Sequence, residues 1–136
     1  MTDVEWVEIW REVAGRIRHP ETEGRGERVD RWRERARSFD EAVKRKGGEH
    51  PDPLRDFVLG RLRPEDTALD VGAGTGSFAI PMARVARRVT AVEPSPSMGA
   101  ILLENAAQEG LDNIDLVEAT WENAQVERHD VAVCSH

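Results

Sequence analysis

Asp70, Gly72, Gly74 and Gly76 form an acid and glycine pattern, D-x-G-x-G-x-G, at the end of a short apolar run. A buried parallel strand is apolar throughout because both of its faces are covered, and the apolar spacing after the glycines is typical of a helix. A glycine turn between strand and helix lets the backbone lie against a ligand where a Cβ would clash. The free N–H groups at a helix start also favour polar or anionic groups. The segment is therefore predicted to be a nucleotide-type binding loop.

Glu93 follows a second apolar run, 17 residues beyond Gly76. An acid at the end of the second strand can accept hydrogen bonds from the ribose hydroxyls of an adenosine. A solvated glutamate at a strand end is the alternative interpretation. A dinucleotide loop has the form G-x-G-x-x-G, and Ser77 stands where its third glycine would fall. The glycine spacing therefore fits a dinucleotide loop only in part.

The D-x-G-x-G-x-G form resembles motif I of the class I S-adenosylmethionine-dependent methyltransferases. The resemblance extends over roughly residues 64–136. It implies a Rossmann-like fold with S-adenosylmethionine as cofactor, whose amino acid end is positioned by the loop and whose ribose is bound by Glu93. The loop residues that it implies as contacts are Asp70, Gly72, Ala73, Gly74 and Gly76.

The resemblance also implies cofactor contacts at three later places. The residues after Glu93 line the adenine side, the end of the third strand supplies the adenine edge, and the end of the fourth borders the methionine part. These implied contacts are Pro94, Ser95, Met98, Ala119, Thr120, Trp121 and Cys134. No third group is visible to orient Cys134 and His136 as a nucleophilic pair, so no catalytic residue is predicted.

Apolar runs and helical stripes alternate along the second half of the chain. Strands are predicted at 67–71, 89–93, 114–118 and 131–135, with helices from the glycine loop to about 87 and at 97–109. Right-handed crossover connections then build an α/β doubly wound parallel sheet with helices on both faces. The resemblance implies that these strands are the first four of the methyltransferase core. The core is therefore expected to be truncated after the fourth strand.

Two amphipathic stripes, at 4–17 and 29–43, predict helices before this core. A glycine- and proline-rich segment at 46–53 indicates a linker. The chain is therefore divided into an N-terminal helical segment, 1–51, and a core, 52–136. The helical segment is expected to act as a cap, a lid or a dimerisation element.

The resemblance makes Trp32, Arg37 and Phe39 candidates to face the methyl acceptor. The alternative is that these side chains pack against neighbouring helices or a second subunit. The fourth strand, Val131 to Cys134, would be an uncharged edge, which natural proteins normally cover. A homodimer through this edge or through the N-terminal helices is therefore a further expectation.

Composition narrows the classes of partner. The 136 residues carry a formal charge of −7, which would repel a phosphate backbone, and the arginines between 25 and 37 alternate with acids. One cysteine and four scattered histidines offer no metal-ligand spacing. We therefore expect no metal, no nucleic acid and no membrane partner, and a cytoplasmic location.

The leading hypothesis is a methyltransferase that acts on a small-molecule acceptor, which the sequence does not identify. One alternative is an NAD(P)-dependent oxidoreductase, because Glu93 suits any adenosine-containing cofactor. Another is a non-catalytic nucleotide-binding or assembly module that retains the pocket without an acceptor site.

Overall fold

The computed structural model describes residues 30–49 and 52–135, so the helix predicted at 4–17 lies outside the described residues. The strands begin and end within one residue of their predicted bounds. The elements in chain order are α1 (Ala36–Glu49), α2 (Pro53–Leu59), β1 (Thr67–Val71), α3 (Ala79–Ala83), β2 (Arg88–Val92), α4 (Pro96–Gln108), β3 (Ile114–Val117), a 3₁₀ turn (Trp121–Asn123) and β4 (Val131–Cys134).

The four strands form one parallel sheet in the order β3-β2-β1-β4. Asp70 on β1 is in register with Ala91 on β2 and with Val133 on β4. The strand order reverses at β1, because β2 and β3 lie to one side of it and β4 to the other. This reversal defines a doubly wound sheet, and ligands of such sheets bind outside the carboxyl ends of the strands at the switch point. The predicted fold class is confirmed.

Local sequence explains the ends of α4. The Ser95 hydroxyl accepts a hydrogen bond from the Met98 N–H at 3.1 Å, and Pro96 occupies the first turn. Both features are typical of a helix start. Past the other end, Gly110 adopts a φ of 69°, which suits the residue that follows a helix.

The helix after the glycine loop, α3, is shorter than predicted. It ends at Ala83, whereas the apolar stripe predicted a helix to about residue 87. The Asn113 side chain donates hydrogen bonds to the carbonyl groups of Ala83 and Ala86, at 2.8 and 3.1 Å. Asn113 precedes β3, so a distant residue satisfies carbonyls at the helix end and lets the chain turn into β2.

One apolar cluster joins the sheet to α2, α3 and α4. These helices therefore pack on the sheet face that carries Ala68 and Val89. The cluster includes Val58, Leu62, Ala68, Phe78, Met82, Val89, Ala91, Leu102 and Val133.

Helix α1 packs against α4 through a second, smaller apolar cluster. Trp32, which precedes α1, and Ala36 lie against Met98 and Ile101 of α4. Phe39 contacts the Trp32 ring edge to face, with 5.0 Å between ring centroids. The helix begins at Ala36, after a turn at 31–35, rather than at the predicted position 29, and it continues to Glu49, into the segment predicted as a linker.

Arg37 makes a two-pronged ion pair with Glu104 of α4, at 2.9 and 3.2 Å. It is therefore engaged with α4, and a role for Arg37, Trp32 or Phe39 at the acceptor stays a prediction. Dimerisation also stays a prediction. None of the helices in the described ranges is long and apolar enough to cross a membrane.

Candidate functional site

The glycine loop lies at the carboxyl end of β1, where the strand order reverses. Gly72, Gly74 and Gly76 all have positive φ angles, of 73°, 58° and 101°. Such angles strain residues that carry a Cβ, which explains the three glycines. The N–H groups of Gly72 and Ala73 donate to the Val92 carbonyl at 2.8 and 3.0 Å, so the loop is attached to the end of β2.

Glu93 is buried at the end of β2, with 6% of its surface exposed. Its carboxylate accepts the Gly74 N–H at 2.7 Å and the Ser95 N–H at 3.0 Å. These two bonds join the glycine loop and the start of α4 to one acid. Each carboxylate oxygen retains acceptor capacity, because a carboxylate offers about four lone-pair sites.

Asp70 is the other acid at this edge, and it is 1% exposed. Desolvation raises its pKa to about 7; the Ala79 N–H donates to its carboxylate and works against this rise, while the negative charge of Glu93 adds to it. The Oδ2 atom of Asp70 is buried without a hydrogen-bond partner in the described structure. A buried carboxylate oxygen in this condition is costly unless a donor or cation reaches it.

Met98 closes the side of the loop that faces α4. A Cβ built on Gly74 would lie 3.6 Å from the Met98 Cε atom. Met98 itself is 3% exposed, whereas Pro94, between Glu93 and Ser95, is exposed. The predicted contacts from Asp70 to Met98 are therefore brought together around one loop.

Of the predicted contacts after β3, Ala119 lies beside Glu93. The Val117 carbonyl accepts the N–H groups of both Glu93 and Ala119, each at 3.0 Å. Thr120 precedes the 3₁₀ turn and accepts a hydrogen bond from the Asn123 side chain at 3.0 Å. Trp121 is 46% exposed, so its ring is available for a contact at this edge.

Cys134 lies on the other side of β1, in register with Val71, and is exposed. It is thus at the same carboxyl edge as the glycine loop, separated from Glu93 by β1. Across the described ranges, no group of three or more His, Cys, Asp or Glu residues is arranged to hold a metal ion.

Sequence analysis missed the role of Asp30, which is one of the acids that alternate with the arginines between 25 and 37. The Asp30 carboxylate accepts the Ser95 hydroxyl at 2.7 Å, the Ser97 N–H at 3.0 Å and the Trp32 N–H at 3.1 Å. Hydrogen bonds from Ser97, and then from Ser95 and Trp32, lower its pKa to about 2 against the effect of desolvation. The segment before α1 is therefore attached to the loop that follows Glu93.

Sequence analysis also missed two buried polar residues on the facing helices, Asp40 of α1 and Asn105 of α4. Each interrupts an apolar stripe, after Ala36 on α1 and after Ile101 and Leu102 on α4. A polar residue at an apolar position of a helix was the available signal. The Asn105 amide donates to Asp40 at 2.9 Å and to the Thr75 carbonyl of the glycine loop at 3.0 Å.

Comparison with known proteins identifies the family. Residues 68–136 match the family model of the methyltransferase domain. Over 62 residues the chain is 42% identical to the 23S rRNA (uracil(1939)-C(5))-methyltransferase of Xanthomonas axonopodis pv. citri, covering 46% of this chain and 14% of the relative. A candidate ribosomal RNA small subunit methyltransferase A of Methanothermobacter thermautotrophicus is 39% identical over 56 residues, 41% of this chain and 19% of the relative. The chain thus spans less than a fifth of the length of either relative.

Solved structures agree with this match. A candidate S-adenosyl-L-methionine-dependent methyltransferase from Methanococcus maripaludis is 25% identical with a TM-score of 0.63, over 73% of this chain and 48% of that one. The complex of DhpI with S-adenosylhomocysteine is 26% identical with a TM-score of 0.60, over 77% and 50%. The match favours the predicted methyltransferase and its cofactor over the nicotinamide alternative. The chain belongs to the methyltransferase domain family of class I S-adenosylmethionine-dependent enzymes and supplies part of its core.

Proposed function

We propose that this chain supplies the donor-binding part of a methyltransferase and that the methyl acceptor is a small molecule. The observation that carries the donor assignment is the joining of the glycine loop to Glu93, with the Gly74 N–H 2.7 Å from the carboxylate. It brings the glycine loop next to a buried acid at the switch point of the sheet, where ligands of this fold class bind.

The two acids suit different parts of the donor. The unpartnered Oδ2 atom of Asp70 fits the ammonium group at the amino acid end, because a cation compensates a buried carboxylate. Glu93 fits the ribose hydroxyls, since its oxygens can accept further hydrogen bonds. Gly74 keeps the loop surface next to Glu93 free of side-chain atoms.

The adenine end is assigned to the residues on either side of Glu93. Pro94, Ser95 and Met98 follow it along the chain, and Ala119, Thr120 and Trp121 follow the neighbouring strand β3. The exposed Trp121 ring can contact a base, and stacking of a base on an aromatic ring contributes ~1–3 kcal/mol in other proteins. Cys134 is assigned to the methionine side, beyond β1.

The chemistry requires little acid or base assistance from the chain. When bound, S-adenosylmethionine supplies a methyl group on a sulfonium, which is already a good leaving group. The residues of this chain bind and orient the donor and exclude water from it, and such positioning can account for a large share of a rate enhancement. The absence of a predicted catalytic base is therefore consistent with the proposed reaction.

A small acceptor is favoured by the charges at the carboxyl edge. Segments 72–78, 93–95 and 118–124 follow the first three strands and contain three glutamates, Glu93, Glu118 and Glu122, and no lysine or arginine. A phosphate backbone binds mainly through lysine and arginine. These acidic segments suit a neutral or cationic acceptor better than a polyanion.

RNA is the second candidate acceptor, because curated relatives are named as ribosomal RNA methyltransferases. Arg31, Arg33 and Arg35 lie in the turn after Asp30, which is attached to this edge of the sheet. They provide basic groups near the acidic segments. Among the described residues, this turn would therefore contribute to RNA binding.

Calorimetric titration with S-adenosylhomocysteine, and in parallel with NAD, tests the donor assignment. We expect the chain to bind the first and not the second. A Gly74→Ala variant should fold, because its Cβ meets only Met98 at an ordinary 3.6 Å, yet should bind more weakly. Gly110→Ala is the matched control, since Gly110 also has a positive φ, of 69°, but open space around it. Binding of NAD, or of neither compound, would contradict the assignment.

RNA binding by the chain saturated with S-adenosylhomocysteine tests the acceptor class. A small-molecule enzyme should show no binding to a short RNA at physiological salt. Binding that weakens steeply as salt is raised, by the counterion release typical of phosphate contacts, would favour RNA instead.

A further inference from the structure

A buried polar cluster connects the N-terminal helix to the glycine loop. It consists of Asp40 on α1, Asn105 on α4 and Thr75 in the loop, which are 3%, 9% and 4% exposed. The Asn105 amide nitrogen lies 2.9 Å from Asp40 Oδ1 and 3.0 Å from the Thr75 carbonyl oxygen. Lys44, one turn after Asp40, donates to Asn105 Oδ1 and to Asp40 Oδ2, both at 2.8 Å.

The Asp40 carboxylate is ionised in this cluster. Although desolvation works to raise its pKa, hydrogen bonds from Lys44, Asn105 and the Thr75 side chain hold the pKa below its ordinary value. Such a buried ionic cluster is weak evidence for stability, because well-packed apolar residues often do as well. What it can provide is a defined geometry, since donors and acceptors on three separate elements are paired with one another.

The glycine loop needs such a restraint. Thr75 stands between Gly74 and Gly76, and glycine loses more conformational freedom on folding than any other residue. The Gly74 N–H must point toward Glu93 for the 2.7 Å hydrogen bond that joins the two donor-site elements. The peptide carbonyl of Thr75 is only one residue away, and Asn105 fixes it through an amide that Asp40 orients.

We propose that Asp40 is a positioning residue for donor binding: through Asn105 and Thr75, the docked helix α1 holds the glycine loop in the conformation that directs the Gly74 N–H to Glu93. This inference rests on the proposed donor site. It places a determinant of donor affinity on a helix that precedes the matched methyltransferase segment, residues 68–136. It also predicts that changes at Asp40 reach the donor loop.

The variant Asp40→Asn tests the inference with little change of volume. An amide can accept at only one oxygen, whereas Asp40 accepts from Asn105 on one oxygen and from Lys44 on the other. The matched control is Arg37→Ala, which removes the exposed ion pair between α1 and Glu104 and leaves Asn105 and Thr75 untouched. Both variants are made in the full chain.

The first readout is amide hydrogen exchange at Gly74 and Gly76 without ligand. Asp40→Asn should speed exchange at these amides about tenfold, as expected for the loss of roughly one buried hydrogen bond, with little change in α4. Arg37→Ala should leave the loop amides at the wild-type rate. Equal loop exchange in wild type and Asp40→Asn, or equal effects of the two variants, would overturn the inference.

The second readout is the affinity for S-adenosylhomocysteine, which Asp40→Asn should weaken about tenfold. Asn105→Leu removes the amide that joins Asp40 to the Thr75 carbonyl. If Asp40 acts through Asn105, the double variant of Asp40→Asn and Asn105→Leu should lose less affinity than the sum of the two single losses. Additive losses would overturn the inference. Failure of the wild-type chain to bind would instead contradict the proposed function, and loop exchange would still decide the role of Asp40.

Discussion

The Gly74 N–H donates a 2.7 Å hydrogen bond to the carboxylate of Glu93, across the carboxyl ends of β1 and β2. The two residues are 19 positions apart in the chain, and the parallel pairing of their strands brings them together. The loop that leaves room for a ligand is thereby held by the acid that can bind the ligand's ribose. Donor binding and loop geometry are therefore expected to change together.

Replacing Glu93 by alanine should weaken the binding of S-adenosylhomocysteine by ~10- to 150-fold, because charge-assisted hydrogen bonds contribute ~1.5–3 kcal/mol. Calorimetric titration measures the change. Glu65→Ala is a suitable control, since Glu65 is exposed and pairs with Arg63 before β1, away from the glycine loop. Unchanged affinity in Glu93→Ala would show that Glu93 does not bind the ribose.

Replacing Gly76 by alanine should destabilise the fold by about 3 kcal/mol, by adding overpacking to backbone strain. The added Cβ would lie 2.8 Å from Ile80 Cγ1 and 3.3 Å from Leu102 Cγ, at a φ of 101°. Gly110→Ala carries the strain without the clash and should cost about 1 kcal/mol. Urea unfolding of both variants gives the comparison. Similar losses of unfolding free energy in the two variants would mean that Ile80 and Leu102 move to accommodate the added Cβ.

Asp70 should make the fold less stable as pH rises toward and through 7. Burial raises its pKa to about 7 from an ordinary value of 3.8, so between these values the folded state binds more protons than the unfolded state. The contribution of Asp70 to stability is complete below pH 3.8 and is lost as the pH rises through the pKa that Asp70 has in the folded state.

Asp70→Asn should remove this dependence. Between about pH 5 and about pH 8 the wild type should lose about 3 kcal/mol more unfolding free energy than the variant. Urea titrations of both proteins at the two pH values give this difference in unfolding free energy. The other titrating groups are common to both proteins, so their contributions cancel. Parallel pH profiles would show that Asp70 ionises normally.

Asp30 should stabilise the fold at neutral pH and lose this effect in acid. Hydrogen bonds from Ser97, Ser95 and Trp32 lower its pKa to about 2, so its contribution is present above the unfolded pKa and is lost as pH falls through the folded one. Asp30→Ala should cost about 1 kcal/mol near pH 7, as for loss of a helix cap. Thermal unfolding measures this loss of stability, and Glu34→Ala, which replaces a nearby exposed acid, is the control. A loss that persists at about pH 2 would contradict the assigned cause.

The sequence by itself determined the strands, the glycine loop and the acid that follows the second strand. These features depend on short-range rules: a parallel strand buried on both faces is a run of apolar residues, and a turn with positive φ angles requires glycine. The spacing of Asp70, Gly72, Gly74 and Gly76 was therefore sufficient to locate the loop. The length of α3 was misjudged, because Asn113, far along the chain, forms hydrogen bonds at its end.

Only the tertiary structure decided which groups meet. Asp30 and Ser95, and likewise Asp40 and Asn105, are 65 positions apart, and no local pattern predicts such pairs. The raised pKa of Asp70 also arises from the whole fold, because burial by several elements and the charge of Glu93 add together at one carboxylate. Chain neighbours determine backbone conformation, whereas hydrogen bonding between buried groups and desolvation depend on all the atoms that packing brings within a few ångströms.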